Sequence, residues 1–166
     1  FHKKRETGNM KKVLASGLLA LCAAGTVLSG SAMAAKAASE KHAEAAIEYR
    51  QSLYQLVKSN AAPMFGMLKM KKFDPEVMKT NGMRLEQLAD MMADYLLVDT
   101  TDFDVPTDAK PALFSNEADV NDKIAALKKV AMDIQAASAT GDEGAYAKAI
   151  AGLGGTCKSC HDDYKE

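Results

Sequence analysis

Apolar residues recur along this chain at steps of three and four, the spacing of one face of an α-helix. Ala43, Ala46, Ile47, Leu53, Tyr54, Val57 and Ala61 form one such stripe. They predict a helix from about Ser39 to Asn60, segment A, ended by Pro63 and Gly66. Segment B opens at Asp74-Pro75-Glu76, a capping residue followed by proline in the first turn and an acid that suits the helix dipole. Its stripe is Val77, Met78, Leu85, Leu88, Met92 and Tyr95. Val98 to Lys110, rich in Asp, Thr and Pro, reads as a long connection. Segment C starts near Ser115 or Asn116 and carries Val120, Ile124, Leu127, Ala131 and Ile134. Thr140-Gly141-Asp142 stops it and caps segment D, whose stripe is Tyr146, Ile150, Leu153, Cys157, Cys160 and Tyr164. Alternating Val/Ile/Thr runs are missing, so little strand is expected. Four amphipathic segments with mostly short links predict an all-α, antiparallel four-helix bundle.

Two members of the D stripe are cysteines, and they change the picture. Cys157-Lys158-Ser159-Cys160-His161 has the C-x-x-C-H spacing of covalent c-type haem attachment. Both thiols can add to the vinyl groups of one haem, and the imidazole of His161 can then bind the iron from below. On a helix these three positions share a face. A thioredoxin-type redox pair needs a βαβ setting that the pattern lacks. A zinc site needs further Cys or His ligands, and beyond the leader described next only His42 remains. The expectation is one covalent haem c, buried in the bundle against segment A. Gly152, Gly154 and Gly155 precede the motif and read either as a frayed helix start or as a place where a neighbouring helix or the porphyrin approaches the backbone, the second being expected.

Met10-Lys11-Lys12, the apolar run Val13 to Leu28 and Ala32-Met33-Ala34 read as a secretory signal peptide cleaved after Ala34. The apolar stretch is short for a membrane span, so no membrane anchor is expected. Lipidation of Cys22 is disfavoured by the bulk of Leu21. The chain thus divides into 1–34, upstream residues plus leader, and 35–166, one haem domain in the periplasm. The domain keeps 16 basic and 21 acidic residues, a net charge of −5. That balance argues against nucleic acid or an anionic membrane as partner.

Three stretches resemble the cytochrome c′ family: Thr156 to Lys165 around the haem motif, Ala46-Ile47-Glu48-Tyr49-Arg50-Gln51-Ser52-Leu53-Tyr54, and Lys110-Pro111-Ala112-Leu113-Phe114-Ser115-Asn116. Their order and separations match across residues 35–166. The resemblance implies a periplasmic four-helix haem protein, a homodimer through its first two helices. It implies a high-spin iron with His161 on one face and no strong protein ligand on the other. It further implies binding of NO, and of CO more weakly, with roles in NO scavenging or electron transfer rather than as an enzyme. The redox partner is not legible.

By the same resemblance Tyr54 falls at the distal position; read from the pattern alone it is equally a core aromatic. Arg50 is placed beside a haem propionate, with Gln51 on the same edge; a surface pair with Glu44 is the alternative for Arg50. Lys165 stands where the family commonly has arginine, keeping the charge without the planar fork, or forming a solvated terminus. The runner-up function is a low-spin electron-transfer cytochrome with Met64 or Met67 as sixth ligand. The remaining methionines, Met92 among them, have the spacing of core packing. Peroxidase chemistry wants a distal acid–base group, and the only spare histidine is His42.

Overall fold

The computed structural model describes residues 34–166. The expected leader up to Met33, with Cys22, lies outside the described residues. The elements are β1 (Ala35–Lys36), α1 (Glu40–Met70), α2 (Pro75–Leu96), β2 (Val98–Asp99), α3 (Ala112–Ser115), α4 (Glu117–Ser138) and α5 (Glu143–Tyr164). The four long helices form the expected all-α bundle, and α3 is a single turn leading into α4. No helix among the described residues is long and apolar enough to cross a membrane.

Local chemistry sets the starts. Ser39 Oγ accepts from the His42 amide at 3.2 Å. Asp74 Oδ1 accepts from the Glu76 and Val77 amides at 3.0 and 3.2 Å, and Asp142 Oδ1 accepts from the Gly144 amide at 2.8 Å. Each satisfies donors that a helix start leaves free. Segment A is longer than the pattern predicts: α1 runs through Pro63 and Gly66 to Met70. Proline removes one hydrogen bond, to the carbonyl four residues back, which belongs to Ser59. Ser59 and Pro63 both lie on the exposed face, where the freed carbonyl is open to solvent. Met64 and Met67, buried below, hold the two further turns, and burial of one such side chain contributes about 1.5–3 kcal/mol. The helix stops at Lys71, in the left-handed region at φ 50°, whose amide bonds to the Met67 carbonyl.

One element escaped the sequence. Ala35–Lys36 pairs in parallel with Val98–Asp99. The Ala37 amide continues the ladder to the Asp99 carbonyl at 2.8 Å, and Lys36 Nζ binds Asp102 at 2.6 Å. Two residues are too few to print an alternating pattern. The pairing ties down the connection after α2, and Arg50 reaches into that connection.

The core runs along the predicted stripes. Val120, Ala131, Ile134, Ile150 and Leu153 are fully buried, with Met64, Met78, Leu85 and Leu96 opposite them. The tightest helix crossing falls at Gly82. A Cβ there would lie 2.9 Å from Gln135 Cγ and 3.0 Å from the Ala131 carbonyl oxygen. Gly82→Ala removes a helix penalty of about 1 kcal/mol but forces α2 away from α4 backbone, and overpacking of this kind costs about 1–3 kcal/mol. The expected outcome is a lower urea midpoint at unchanged m-value. A midpoint above wild type means that the helices separate freely at this crossing.

Candidate functional site

The stripes are not uniformly buried. Tyr54, Ile124, Cys157 and Cys160 are only half-buried, and all four line one cavity of about 680 Å³. That size lies within the roughly 300–1,000 Å³ of small-molecule and cofactor sites. The wall is mainly apolar, with Ile47, Val57, Ala61, Met92, Leu96, Leu113, Val120 and Leu127 contributing.

Along α5 the spacing brings Cys157, Cys160 and His161 to the same cavity. His161 is exposed on its far side. Its ring lies 6.5 Å from the Tyr54 ring, the planes at 67°. Burial pushes both thiols up from their ordinary pKa; the Lys123 ammonium opposes this at Cys160. A third thiol or imidazole is not among the lining residues, and no group of three potential metal ligands occurs among the described residues. The donor set fits a covalently tethered haem with one imidazole and does not fit zinc.

On the opposite wall, Tyr54 comes from α1. Burial pushes its phenol well above the usual tyrosine range, with the neighbouring Cys160 adding to the shift. One turn back, Arg50 is almost fully buried. It donates to the Val98 carbonyl at 3.1 Å and to Thr100 Oγ1 at 3.1 Å, and its guanidinium stacks 5.2 Å from the Phe114 ring centroid. These partners are all neutral, Glu44 is not among them, and burial lowers the Arg50 pKa. Gln51 is exposed on the cavity rim.

Two expectations need restating. Met64 and Met67 pack into the core and do not line the cavity; the lining methionine is Met92 of α2. Met64 and Met67 lie on the core-facing side of α1, whereas Ala62 and Phe65 of the same stretch line the cavity. Lys165 is not a loose terminus. Its amide bonds to the His161 carbonyl at 3.1 Å, it bridges to Ala109, and its Nζ lies 3.2 Å from Asp108 Oδ2. Of the glycines before the motif, Gly152 meets Val130 of α4 at 3.1 Å from a built Cβ, Gly154 meets Phe65 of α1 at 3.6 Å, and Gly155 meets nothing within 4 Å. His42 serves locally, its Nδ1 accepting from the Ala38 amide at 3.1 Å.

Lys123 of α4 was missed. It lines the cavity and pairs with Asp163 at 2.8 Å. Its only sequence signal was Asp119 four residues earlier, an ordinary surface pattern.

A four-helix bundle whose C-terminal helix presents C-x-x-C-H to an apolar cavity defines a c-type cytochrome of the bundle class. A family profile described as Cytochrome C′ matches residues 45–165. Cytochrome c′ of Rubrivivax gelatinosus is 36% identical over 126 residues, covering 73% of this chain and 94% of that protein. The crystal structure of cytochrome c prime from Shewanella frigidimarina aligns with a TM-score of 0.66 at 31% identity, covering 75% of this chain and 96% of that one. A ferrous arginine-to-glutamine variant of cytochrome c prime from Alcaligenes xylosoxidans, with bound NO, aligns with a TM-score of 0.64 at 28% identity, over 75% and 97% of the two chains. The chain belongs to the cytochrome c′ family, and its cofactor is covalently attached haem c.

The buried phenol gives a pH dependence. Tyrosine ionises near pH 10 in an unfolded chain, while the folded Tyr54 phenol keeps its proton. Stability contributed by the neutral phenol is therefore complete below pH 10 and is lost as pH rises above it. The expected decline is up to about 1.4 kcal/mol per pH unit per phenol. Urea midpoints for wild type and Tyr54→Phe between pH 8 and 11 check this. The variant should lose less stability over that range, and parallel curves would remove Tyr54 as the cause.

Proposed function

We propose that this chain is an exported, periplasmic haem protein that holds a five-coordinate, high-spin iron and binds NO, and CO more weakly, without turnover of a substrate. Cys157 and Cys160 carry the haem through thioethers, and His161 is the iron ligand. Tyr54 covers the other face. Arg50 and Gln51 lie on the propionate side. The observation that carries this reading is the opposition of two walls across one cavity: thiols and imidazole from α5, a neutral phenol from α1. A phenol kept protonated by burial is a poor iron ligand. Support for the ligand comes from the NO-bound Alcaligenes xylosoxidans variant. Arg50 fits a carboxylate edge because its hydrogen-bonded partners are all neutral, and the Asp99 carboxylate acts on it without a hydrogen bond. When bound, the haem supplies the iron; the protein supplies tether, axial imidazole and the cover that a ligand must displace. Capture of NO in the periplasm is the role this assigns.

Haem staining after denaturing electrophoresis and the ferrous absorption spectrum test it together. Wild type should stain, Cys157→Ala and Cys160→Ala should stain weakly, and the native ferrous spectrum should be high-spin. Tyr54→Ala should bind CO faster and more tightly, since a packed side chain no longer has to move. A sharp, split low-spin spectrum would overturn the open iron. It would move the sixth ligand to Met92, the methionine that lines the cavity, and the function to electron transfer.

The same proposal includes a homodimer through α1 and α2. Tyr49 and Leu56 are more than half exposed, and Met83 and Met91 nearly so. Leu56, Pro63, Leu88 and Met91 line a groove between the two helices together with Asn60, Asn81 and Arg84. That is more apolar surface than one core uses. Sedimentation at micromolar concentration should give a dimer, and Leu56→Glu should give a monomer with an unaltered haem spectrum. A monomeric wild type would end this part of the reading.

A further inference from the structure

Lys123 and a Tyr164–Asp119 hydrogen bond hold the last turns of α5 to α4. Lys123 is 15% exposed. Its ammonium donates to Ser159 Oγ at 3.0 Å and lies 3.4 Å from the Ser159 carbonyl oxygen. It pairs with Asp163 Oδ2 at 2.8 Å and stands 3.7 Å from Asp119 Oδ2. Asp119 in turn accepts from the Tyr164 hydroxyl, and the ammonium sits 5.9 Å from the Tyr164 ring centroid. Ser159 and Asp163 lie two residues before and two residues after His161. The turn that carries Cys160 and His161 is thus bracketed by bonds to a single cation on the next helix. The other lysines nearby do less across this joint. Lys158 pairs with Asp162 on its own helix, and Lys165 pairs with Asp108 in the connection.

We propose that Lys123 is a positioning residue for His161. It fixes the rotation of the last turns of α5 against α4, and with it the direction in which the imidazole meets the iron. This rests on the reading of His161 as iron ligand. Individual pairs with half-exposed carboxylates such as Asp163 contribute little to stability, so convergence on one turn points to geometry as the role.

The test uses the haem-loaded, ferrous protein. Lys123→Met, Lys123→Arg and Ser159→Ala are compared with wild type by the iron–histidine stretching band in resonance Raman. Amide exchange at residues 159–164 and far-UV circular dichroism are recorded alongside. In Lys123→Met the band should shift and broaden, with several-fold faster exchange in those amides and unchanged helix content. Lys123→Arg should restore a sharp band. Ser159→Ala, which leaves the charge pair intact and guards against a Met variant that fails to fold, should give a smaller shift in the same direction. A wild-type band left unmoved in all three variants overturns the proposal while leaving His161 as ligand. A wild type with haem but no iron–histidine band overturns both.

Discussion

The α5 core stripe has to serve twice. Tyr146, Ile150 and Leu153 fill the bundle as side chains do elsewhere, and all three are buried. The next two positions of the same stripe are the cysteines of the C-x-x-C-H motif, and there the stripe faces a cavity of about 680 Å³. Side-chain packing therefore cannot close that end of the bundle. Other supports take over: the Ala109–Lys165 bridge with the Lys110 amide on the Tyr164 carbonyl, the Lys123 contacts from α4, and Arg50 joining α1 to the β2 connection. Each of them lies outside the heptad-like pattern that builds the rest. At this end polar contacts add to the apolar packing of Leu113, Phe114 and Tyr164, and being directional they fix orientation better than apolar contacts do.

This division explains what the sequence revealed. Stripes in segments B, C and D gave helices α2, α4 and α5 to within a residue or two, because burial of a repeated face is the dominant force and leaves a periodic trace. The haem motif was legible because the chemistry demands two thiols and an imidazole at fixed spacing. Pro63 misled the reading of segment A, since a one-letter pattern does not show that both Pro63 and its orphaned acceptor at Ser59 face water. Met64 and Met67 were attractive ligands by position after a helix break, but that break does not occur. Lys123, Met92 and the β1–β2 pair left no usable signal. Each depends on which helix lies beside which, and that is decided by the packing of the whole chain.

Two of the cations that line the cavity, Lys123 and Arg50, differ in what satisfies them. Lys123 has carboxylates at hand: hydrogen bonding to Asp163 raises the lysine pKa and holds the Asp163 carboxyl below its usual range. Arg50 is nearly fully buried and its bonded partners are a carbonyl, a hydroxyl and the Phe114 ring. A buried ion left without a counter-ion costs several kcal/mol even after relaxation. The neutral acceptors and the nearby Asp99 carboxylate offset part of that cost, and burial still lowers the Arg50 pKa. Arg50 thus has no hydrogen-bonded carboxylate, with Asp99 acting on it only through space, while Lys123 already has its own. The same asymmetry separates their roles under the proposals above: Arg50 faces the cofactor, and Lys123 faces the helix that carries it.

The distal wall then sets what a ligand must overcome. Around Tyr54 stand Ile47, Val57 and Ala61, and burial keeps its phenol un-ionised. Gln51, Gln55 and Lys58 of the same helix also line the cavity, so the wall is not wholly apolar. A small neutral diatomic molecule has little hydration to lose. What it must overcome is the displacement of Tyr54, a half-buried side chain, from its place on that wall. On the proposed reading, a small neutral ligand is therefore limited by side-chain motion rather than by desolvation.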